Sequence, residues 1–496
     1  VLVQIDNEGA LYFRDGAYDQ DYHPDAIVLF RRFLRAKYRT PRELRAAWSQ
    51  VDLSFSSVMP PFRFEADTAD DLVRHMDWME FHEHLLAGAM QRMARTLAAS
   101  GLDGLPTMHN FPLAESVTPL NAGRIELDLI GLDYYHRATP QEHRAIFRRT
   151  SELASRCAGL GAPAYGAEVG AGFPPFFSPL QEYDSLYTLM AALAYGLRGY
   201  NLYMAVDRDR WVGAPIDSRG RRRPLAAHYQ ALSRALEQVR FHTLTRRAPV
   251  RLVVPRALRR LARATHAFGP MTPAMFHVIG AGFRESCLEG DFGLGGGAPT
   301  LIGEAYLRAF ERALAARGVP FAYAGGETFD VSTRDARWLI CATAGGVKPE
   351  LWAALGEATK NGTRVTVGPR VPDRDGSLRR LDAPYERGDI ELEPLEEIAH
   401  ADTLVARRIE ELSLPTYPHA PDDLSLTVHE DEEGSPKVAF FMNPTEHDVS
   451  ARVALPGISA LVDLLAPSRS PRIARSAGGF DLSVPARTVR MMALES

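Results

Sequence analysis

Two glutamates could carry acid–base and nucleophilic chemistry in this chain. Glu8 ends the run VLVQIDNE, and Glu168 lies within AYGAEVG. Both runs are typical of buried strands, and polar residues at the carboxyl ends of parallel strands form the reactive edge of barrel enzymes. Hydrolysis of a glycosidic bond uses two such carboxylates, one as acid/base and one as nucleophile. A structural role would explain either glutamate alone, whereas the pair at two strand ends favours catalysis.

These carboxylates need a scaffold of parallel strands, and residues 1 to about 240 alternate strand-like with helix-like segments. The strand patterns end near Glu8, Asn110, Tyr135, Glu168 and Met204. Repeated strand–helix units imply parallel strands. Five units do not close an eight-stranded barrel. We therefore predict an α/β fold containing a partial (β/α)8 TIM barrel, its strands four to eight, with the first three units outside this sequence.

The pattern changes after residue 250. Helix–glycine–strand alternation between 300 and 367 predicts a Rossmann-like, open α/β domain, in which Cys341 is a core cysteine. Alternating apolar residues from Ser425 onward predict a small antiparallel β-sandwich. The predicted domains are 1–243 for the barrel portion, 248–400 for the α/β domain and 420–496 for the sandwich.

Composition excludes several other classes of protein. The 496 residues carry 57 Lys and Arg against 62 Asp and Glu, a net charge of −5, without a basic stripe for nucleic acid. No apolar run approaches the roughly 20 residues of a membrane span. The three cysteines lie far apart, which argues against a disulfide framework or a zinc site.

Several motifs of the first 240 residues resemble a known enzyme family. The run VQIDNE resembles the fourth-strand motif of the β-galactosidases of glycoside hydrolase families 35 and 42. The run ALAYGLRGYNLYM is similar to their passage from the seventh helix to the eighth strand, and APIDSRG resembles the loop that follows. The segment after 250 resembles the amidotransferase-like domain of family 42. That second resemblance implies a homo-oligomer, namely a trimer.

The resemblance implies a retaining, exo-acting glycoside hydrolase that releases terminal β-linked galactose. Glu168 would attack the anomeric carbon, while Glu8 would protonate the leaving oxygen and later activate water, with the carboxyl groups about 5–5.5 Å apart. The partner is then a small carbohydrate, a β-galactoside or oligosaccharide, and no metal or organic cofactor is needed. Two alternatives stay open: the same chemistry on another β-linked sugar, and a catalytically incomplete carbohydrate-binding or assembly protein.

Further residues are candidate sugar ligands, each with a structural alternative. Asn7 matches the amide that reaches the 2-hydroxyl of the sugar. Either Tyr134 or Tyr135 would orient Glu168, because adjacent strand residues face opposite ways. The other candidates are polar or aromatic residues at strand ends and in the final loop, namely His109, Asn110, Asp133, Asn201, Tyr203 and Trp211. Trp211 is either a stacking platform or a buried loop anchor. Tyr203 stands near the position where much of this clan of enzymes has a Trp.

Overall fold

A computed structural model describes most of the chain, in two compact units. The described residues are 2–9, 16–111, 127–172, 181–209, 211–266, 287–295, 297–326, 335–394, 398–420, 423–465 and 472–496. The first unit comprises Val1–Asp128, Leu252–Phe310 and Ala324–Ala401. The second comprises Leu129–Arg251, Glu311–Tyr323 and Asp402–Ser496. The predicted domain boundaries stay a prediction.

Five short strands form the barrel-like part. They are β1 Val3–Gln4, β2 Thr107–Phe111, β3 Leu129–Tyr134, β4 Tyr165–Gly170 and β5 Gly199–Tyr203. Strand β1 pairs with β2, β3 with β4, and β4 with β5, in each case parallel. Within each unit the paired strands follow chain order, β1-β2 in the first unit and β3-β4-β5 in the second, as successive right-handed strand–helix units produce. The prediction of a partial (β/α)8 barrel is confirmed.

Helices separate these strands. They are α1 Pro24–Tyr38, α2 Pro41–Trp48, α3 Leu72–Leu97, α4 Pro140–Leu160, α5 Glu182–Ala194 and α6 Pro224–Gln238. A π-helical turn, Ala98–Leu102, continues α3. Helix α1 has Pro24 at its amino end, where a missing backbone N–H costs nothing.

One local detail differs from the sequence-based expectation. Strand β1 ends at Gln4, so Glu8 belongs to the following turn rather than to the strand itself. At the start of α2, Thr40 is the capping residue before the first turn. The Thr40 side chain accepts a hydrogen bond from the Glu43 N–H at 3.2 Å, which satisfies a free donor of the first turn.

The segment after 250 forms an open sheet. After the short strand β6, Thr245–Arg246, come β7 Val250–Val254, β8 Phe321–Gly325, β9 Trp338–Thr343, β10 Arg364–Pro369 and β11 Glu391–Leu392. The helices are α7 Arg256–Ala264, α8 Pro299–Ala316 and α9 Pro349–Lys360. The order β11-β10-β9-β7-β8 is the flavodoxin-like variant of a doubly wound sheet. The Rossmann-like prediction is confirmed, and Cys341 is fully buried and is not part of a disulfide.

Within the first unit, α3 is joined to α7 by buried charge. Glu83 of α3 accepts hydrogen bonds from Arg256 at 2.5 Å and Arg260 at 2.6 Å, and all three side chains are at least 98% buried. One turn away, Glu80 faces Lys348, 3.9 Å distant. Arg256 and Lys348 directly follow the β7 and β9 region, where doubly wound folds usually bind ligands. In this chain, carboxylates of α3 lie there.

The remaining strands build the carboxy-terminal sandwich of the second unit. After α10, Ile398–Glu411, they are β12 His419–Ala420, β13 Ser425–Glu430, β14 Pro436–Asn443, β15 Val449–Val453, β16 Ala460–Asp463, β17 Ile473–Ala474, β18 Phe480–Val484 and β19 Thr488–Glu495. Two antiparallel sheets, β12-β15-β18 and β17-β16-β19-β14-β13-β6, enclose a core that includes Phe441, Leu461 and Phe480. The sandwich prediction is confirmed. None of the described helices is both long and apolar enough for a membrane span.

Candidate active site

The turn after β1 carries Asn7 and Glu8 in an unusual backbone conformation. Asp6 has φ of 60° and Glu8 has φ of 49°, both in the left-handed region. That region costs a residue with a Cβ atom roughly 1–2 kcal/mol. Two such residues within three positions persist only when neighbouring groups fix the backbone, and this kind of conformation is concentrated at functional sites.

Asn110, at the end of β2, supplies part of that fixation. Its fully buried side chain accepts the Glu8 N–H at 3.0 Å and the Gln4 side-chain amide at 2.9 Å. Its own amide donates to the Asn7 side-chain oxygen at 3.4 Å. The side chains of Gln4, Asn7 and Asn110 thus form one amide network beneath Glu8, in which Asn110 binds the backbone of the turn.

His109, also on β2, binds the same turn from both ring nitrogens. Its Nδ1 lies 2.5 Å from the Ile5 carbonyl oxygen, and its Nε2 lies 3.0 Å from the Gly9 backbone nitrogen. A carbonyl can only accept and a backbone N–H can only donate, so the ring is neutral with its proton on Nδ1. Burial lowers the pKa of His109, which agrees with that neutral state.

Glu168, in the second unit, lies on β4 with its carboxylate half-buried. The Tyr135 hydroxyl, just after β3, donates to Glu168 Oε2 at 2.6 Å. Burial raises the pKa of Glu168, and this hydrogen bond opposes that rise. Burial, followed by the charge of Glu168, raises the pKa of Tyr135 far above its usual value, so the phenol remains a donor.

The choice between the two tyrosines is settled by the direction of their side chains. Tyr134 is fully buried and shares a 3.0 Å hydrogen bond with Thr150 of α4, while Tyr135 turns to Glu168. The alternation of side chains along an extended chain separates them. Asp133 is also fully buried and pairs in register with Glu168 across β3 and β4.

The aromatic candidates lie beside Tyr135. The Trp211 ring meets Tyr203 edge-on, with centroids 5.0 Å apart, and Tyr135 at 6.4 Å. A Cβ atom at Gly172 would lie 2.4 Å from Trp211 Nε1, so the backbone approaches the indole as closely as glycine permits. Asn201 is exposed and donates to the Ala167 carbonyl at 3.3 Å. Tyr135, Glu168, Tyr203 and Trp211 therefore form one group.

An ion pair that the sequence did not point to holds the loop carrying Trp211. Arg223 donates to both carboxylate oxygens of Asp207, at 2.8 and 2.5 Å, and to the Ala214 carbonyl at 2.8 Å. Asp207 also accepts the Ala214 N–H at 2.9 Å. The partners lie 16 residues apart in a loop, so neither helical nor strand periodicity could have indicated the pair.

Comparison with known proteins places a match in the first third of the chain. Residues 1–169 match the sequence model of glycoside hydrolase family 42, which is described as β-galactosidase. This part of the chain is therefore similar to that family. The match contains both Glu8 and Glu168, and the resemblance inferred from the strand motif is confirmed. The chain is accordingly a glycoside hydrolase. No curated protein sequence gives a significant match.

Solved structures share the fold of this chain. A β-galactosidase from Bacillus circulans sp. alkalophilus superposes with a TM-score of 0.70 at 13% identity, over 96% of this chain and 77% of that one. A β-galactosidase from Halorubrum lacusprofundi gives 0.68 at 15% identity, over 99% and 78%. An exo-carrageenase of family 42 from Bacteroides ovatus gives 0.65 at 13% identity, over 95% and 63%.

Among the described residues, no group of three or more His, Cys, Asp or Glu side chains has the geometry to hold a metal ion. The chemical groups described at these strand ends are the carboxylates, the Tyr135 phenol and the surrounding amides. Carboxylates can donate a proton, accept a proton or attack an electrophilic carbon.

Proposed function

We propose that the chain is a retaining, exo-acting β-galactosidase in which Glu168 is the nucleophile and Glu8 the acid/base. The observation that carries this proposal is the Tyr135 hydroxyl at 2.6 Å from Glu168 Oε2. A phenol in that position stabilises the ionised carboxylate, which is the form that can attack. The family match across both glutamates supports the same assignment.

The reaction follows two displacements. Glu168 attacks the anomeric carbon as the glycosidic C–O bond breaks, and Glu8 gives its proton to the departing oxygen. Glu8, now ionised, takes a proton from water while that water attacks the anomeric carbon and releases Glu168. Asn7, adjacent to the acid/base, would donate a hydrogen bond to the sugar 2-hydroxyl. Asp133, Asn201, Tyr203 and Trp211 remain proposed sugar contacts, whereas His109 and Asn110 bind the backbone of the Glu8 turn.

The identity of the sugar is the most specific part of the proposal. β-Galactosidases and an exo-carrageenase share this fold at similar TM-scores, so the fold does not select among substrates. Two glutamates at strand ends would serve any β-linked sugar equally well. The second candidate function is therefore the same retaining chemistry on another β-glycoside.

The test is hydrolysis of a panel of 4-nitrophenyl β-glycosides by the protein and by Glu168→Gln and Glu8→Gln. Proton NMR identifies the first anomer released. We expect turnover of the β-galactoside with β-galactose as first product. Loss of the nucleophile should abolish turnover, and loss of the acid/base should lower kcat/KM by about 10²–10⁴-fold.

Release of α-galactose first would contradict a retaining mechanism. Turnover confined to another sugar would favour the second candidate. Absence of turnover across the panel would refute both hydrolase proposals and leave a carbohydrate-binding protein. A third variant, Glu43→Gln, controls for the substitution itself, because Glu43 lies in the first turn of α2 at the surface.

A further inference from the structure

The turn that carries Glu8 is fixed chiefly by two buried side chains of the neighbouring strand β2. His109 binds the Ile5 carbonyl and the Gly9 N–H, at 2.5 and 3.0 Å. Asn110 binds the Glu8 N–H between them, at 3.0 Å. Side chains about 100 residues later in the chain thus hold three backbone groups of the turn. One group belongs to the proposed acid/base itself, one precedes it and one follows it.

Both ring nitrogens of His109 are committed to this turn. The ring is fully buried and packs edge-on against Phe111, with centroids 4.7 Å apart. A sugar hydroxyl could reach the ring only by displacing the Ile5 carbonyl or the Gly9 N–H. The geometry therefore favours a role directed at the turn over direct contact with the sugar.

We propose that His109 is a positioning residue for Glu8, acting with Asn110 to hold the left-handed turn in which this carboxyl group meets the departing oxygen. The inference rests on the proposed function. General acid catalysis needs the acid within hydrogen-bond reach of the atom that it protonates. A turn released from His109 would leave Glu8 present but misplaced, and proton donation would fail while attack by Glu168 continued.

This role has a kinetic signature that a sugar contact lacks. A leaving group such as 2,4-dinitrophenolate departs without a proton, whereas methanol or a second sugar needs one. Loss of positioning should thus slow only substrates with poor leaving groups. Loss of a sugar contact should slow all substrates by the same factor, because the sugar ring is identical in each.

The experiment compares the protein with His109→Phe and His109→Gln on 2,4-dinitrophenyl and methyl β-galactoside, or the same aglycones on the sugar that the panel selects. Phenylalanine keeps the ring packed against Phe111 and removes both hydrogen bonds. We expect kcat/KM on the methyl glycoside to fall at least 100-fold and that on the dinitrophenyl glycoside to change less than threefold. Glutamine offers one donor and one acceptor. For His109→Gln we therefore expect kcat/KM on the methyl glycoside to be at least tenfold higher than for His109→Phe.

Asn110→Ala is the second variant, in case His109→Phe does not fold. It removes the acceptor of the Glu8 N–H, and the same dependence on the leaving group is expected. Equal losses on both substrates in a folded variant would overturn the positioning role and leave the glycosidase proposal intact. Absence of turnover by the unaltered protein would overturn the proposed function, and this inference with it.

Discussion

At the scale of single residues, the hydrogen bond from Tyr135 to Glu168 sets the protonation of the proposed nucleophile. Burial raises the pKa of Glu168 and the phenol opposes it, so Tyr135→Phe should raise that pKa further. A hydrogen bond to a charged group contributes about 1.5–3 kcal/mol, which corresponds to roughly one to two pH units. The acid limb of kcat/KM should therefore move to higher pH in this variant, as measured by the pH profile on an aryl glycoside.

Tyr134→Phe is the matched control, since it removes the same hydroxyl one residue earlier. The Tyr134 hydroxyl bonds to Thr150, a buried residue of α4. The free energy of unfolding should therefore fall by about 0.5–1.5 kcal/mol, and the acid limb of kcat/KM should not shift. An unchanged limb in Tyr135→Phe would show that the phenol does not govern Glu168.

Sequence reasoning reached both glutamates because a carboxylate after a buried run is a visible local signal. It could not choose between Tyr134 and Tyr135, since alternation states only that one of them faces the site. The hydrogen bonds of His109 could not be predicted from the sequence for another reason. Its two backbone partners lie 104 and 100 residues away and have no side-chain signature.

At the scale of elements, the close approach of β3 and β4 depends on a glycine. A Cβ atom at Gly131 would lie 2.6 Å from Ala167 Cβ, the residue before Glu168. Gly131→Ala should therefore push the strands apart, with a loss of about 1–3 kcal/mol in the free energy of unfolding. Urea denaturation measures that loss, and activity should fall with it because Glu168 and Tyr135 lie on opposite sides of the gap.

Gly88→Ala controls for the added methyl group. Nothing lies within 4 Å of a Cβ atom at that position in α3, so the helix should gain roughly 0.5–1 kcal/mol. Equal stability of Gly131→Ala and the unaltered protein would mean that the strands can separate without cost.

Helices and strands were largely predictable from periodicity and from Pro and Gly at their ends. The length of β1 was not, because Ile5 continues the apolar pattern while Asp6 turns into the left-handed region. The Thr-x-x-Glu pattern at Thr40 is visible in the sequence, yet whether Thr40 caps a helix depends on where α2 begins. That position is fixed by Pro41, the first helical residue.

At the scale of the whole molecule, buried neutral histidines predict sensitivity to acid. Burial lowers the pKa of His143 to about 4, and His75 in the other unit has the same value for the same first cause. A depressed pKa stabilises the fold above the unfolded value near 6.5 and withdraws that stability as pH falls toward 4. The free energy of unfolding, measured by urea denaturation, should decline across this window by on the order of 3 kcal/mol for each histidine.

His143→Gln tests the assignment in the second unit. His143 hydrogen bonds to Tyr187 at 2.7 Å and Tyr195 at 2.8 Å, and the glutamine amide can replace a donor and an acceptor but does not titrate. The variant should be less stable at pH 7 and show a shallower decline between pH 6.5 and 4. A decline as steep as that of the unaltered protein would assign the acid sensitivity to other groups.

The buried contact of Glu83 with α7 has a consequence for synthesis. Glu83 leaves the ribosome 173 residues before Arg256 and 177 before Arg260. At a translation rate of about 5–20 residues per second, Arg256 and Arg260 are synthesised roughly 10–35 s after Glu83. We therefore expect this face of α3 to become buried only after α7 has been made. By then β7, the first strand of the open sheet in chain order, has already been synthesised.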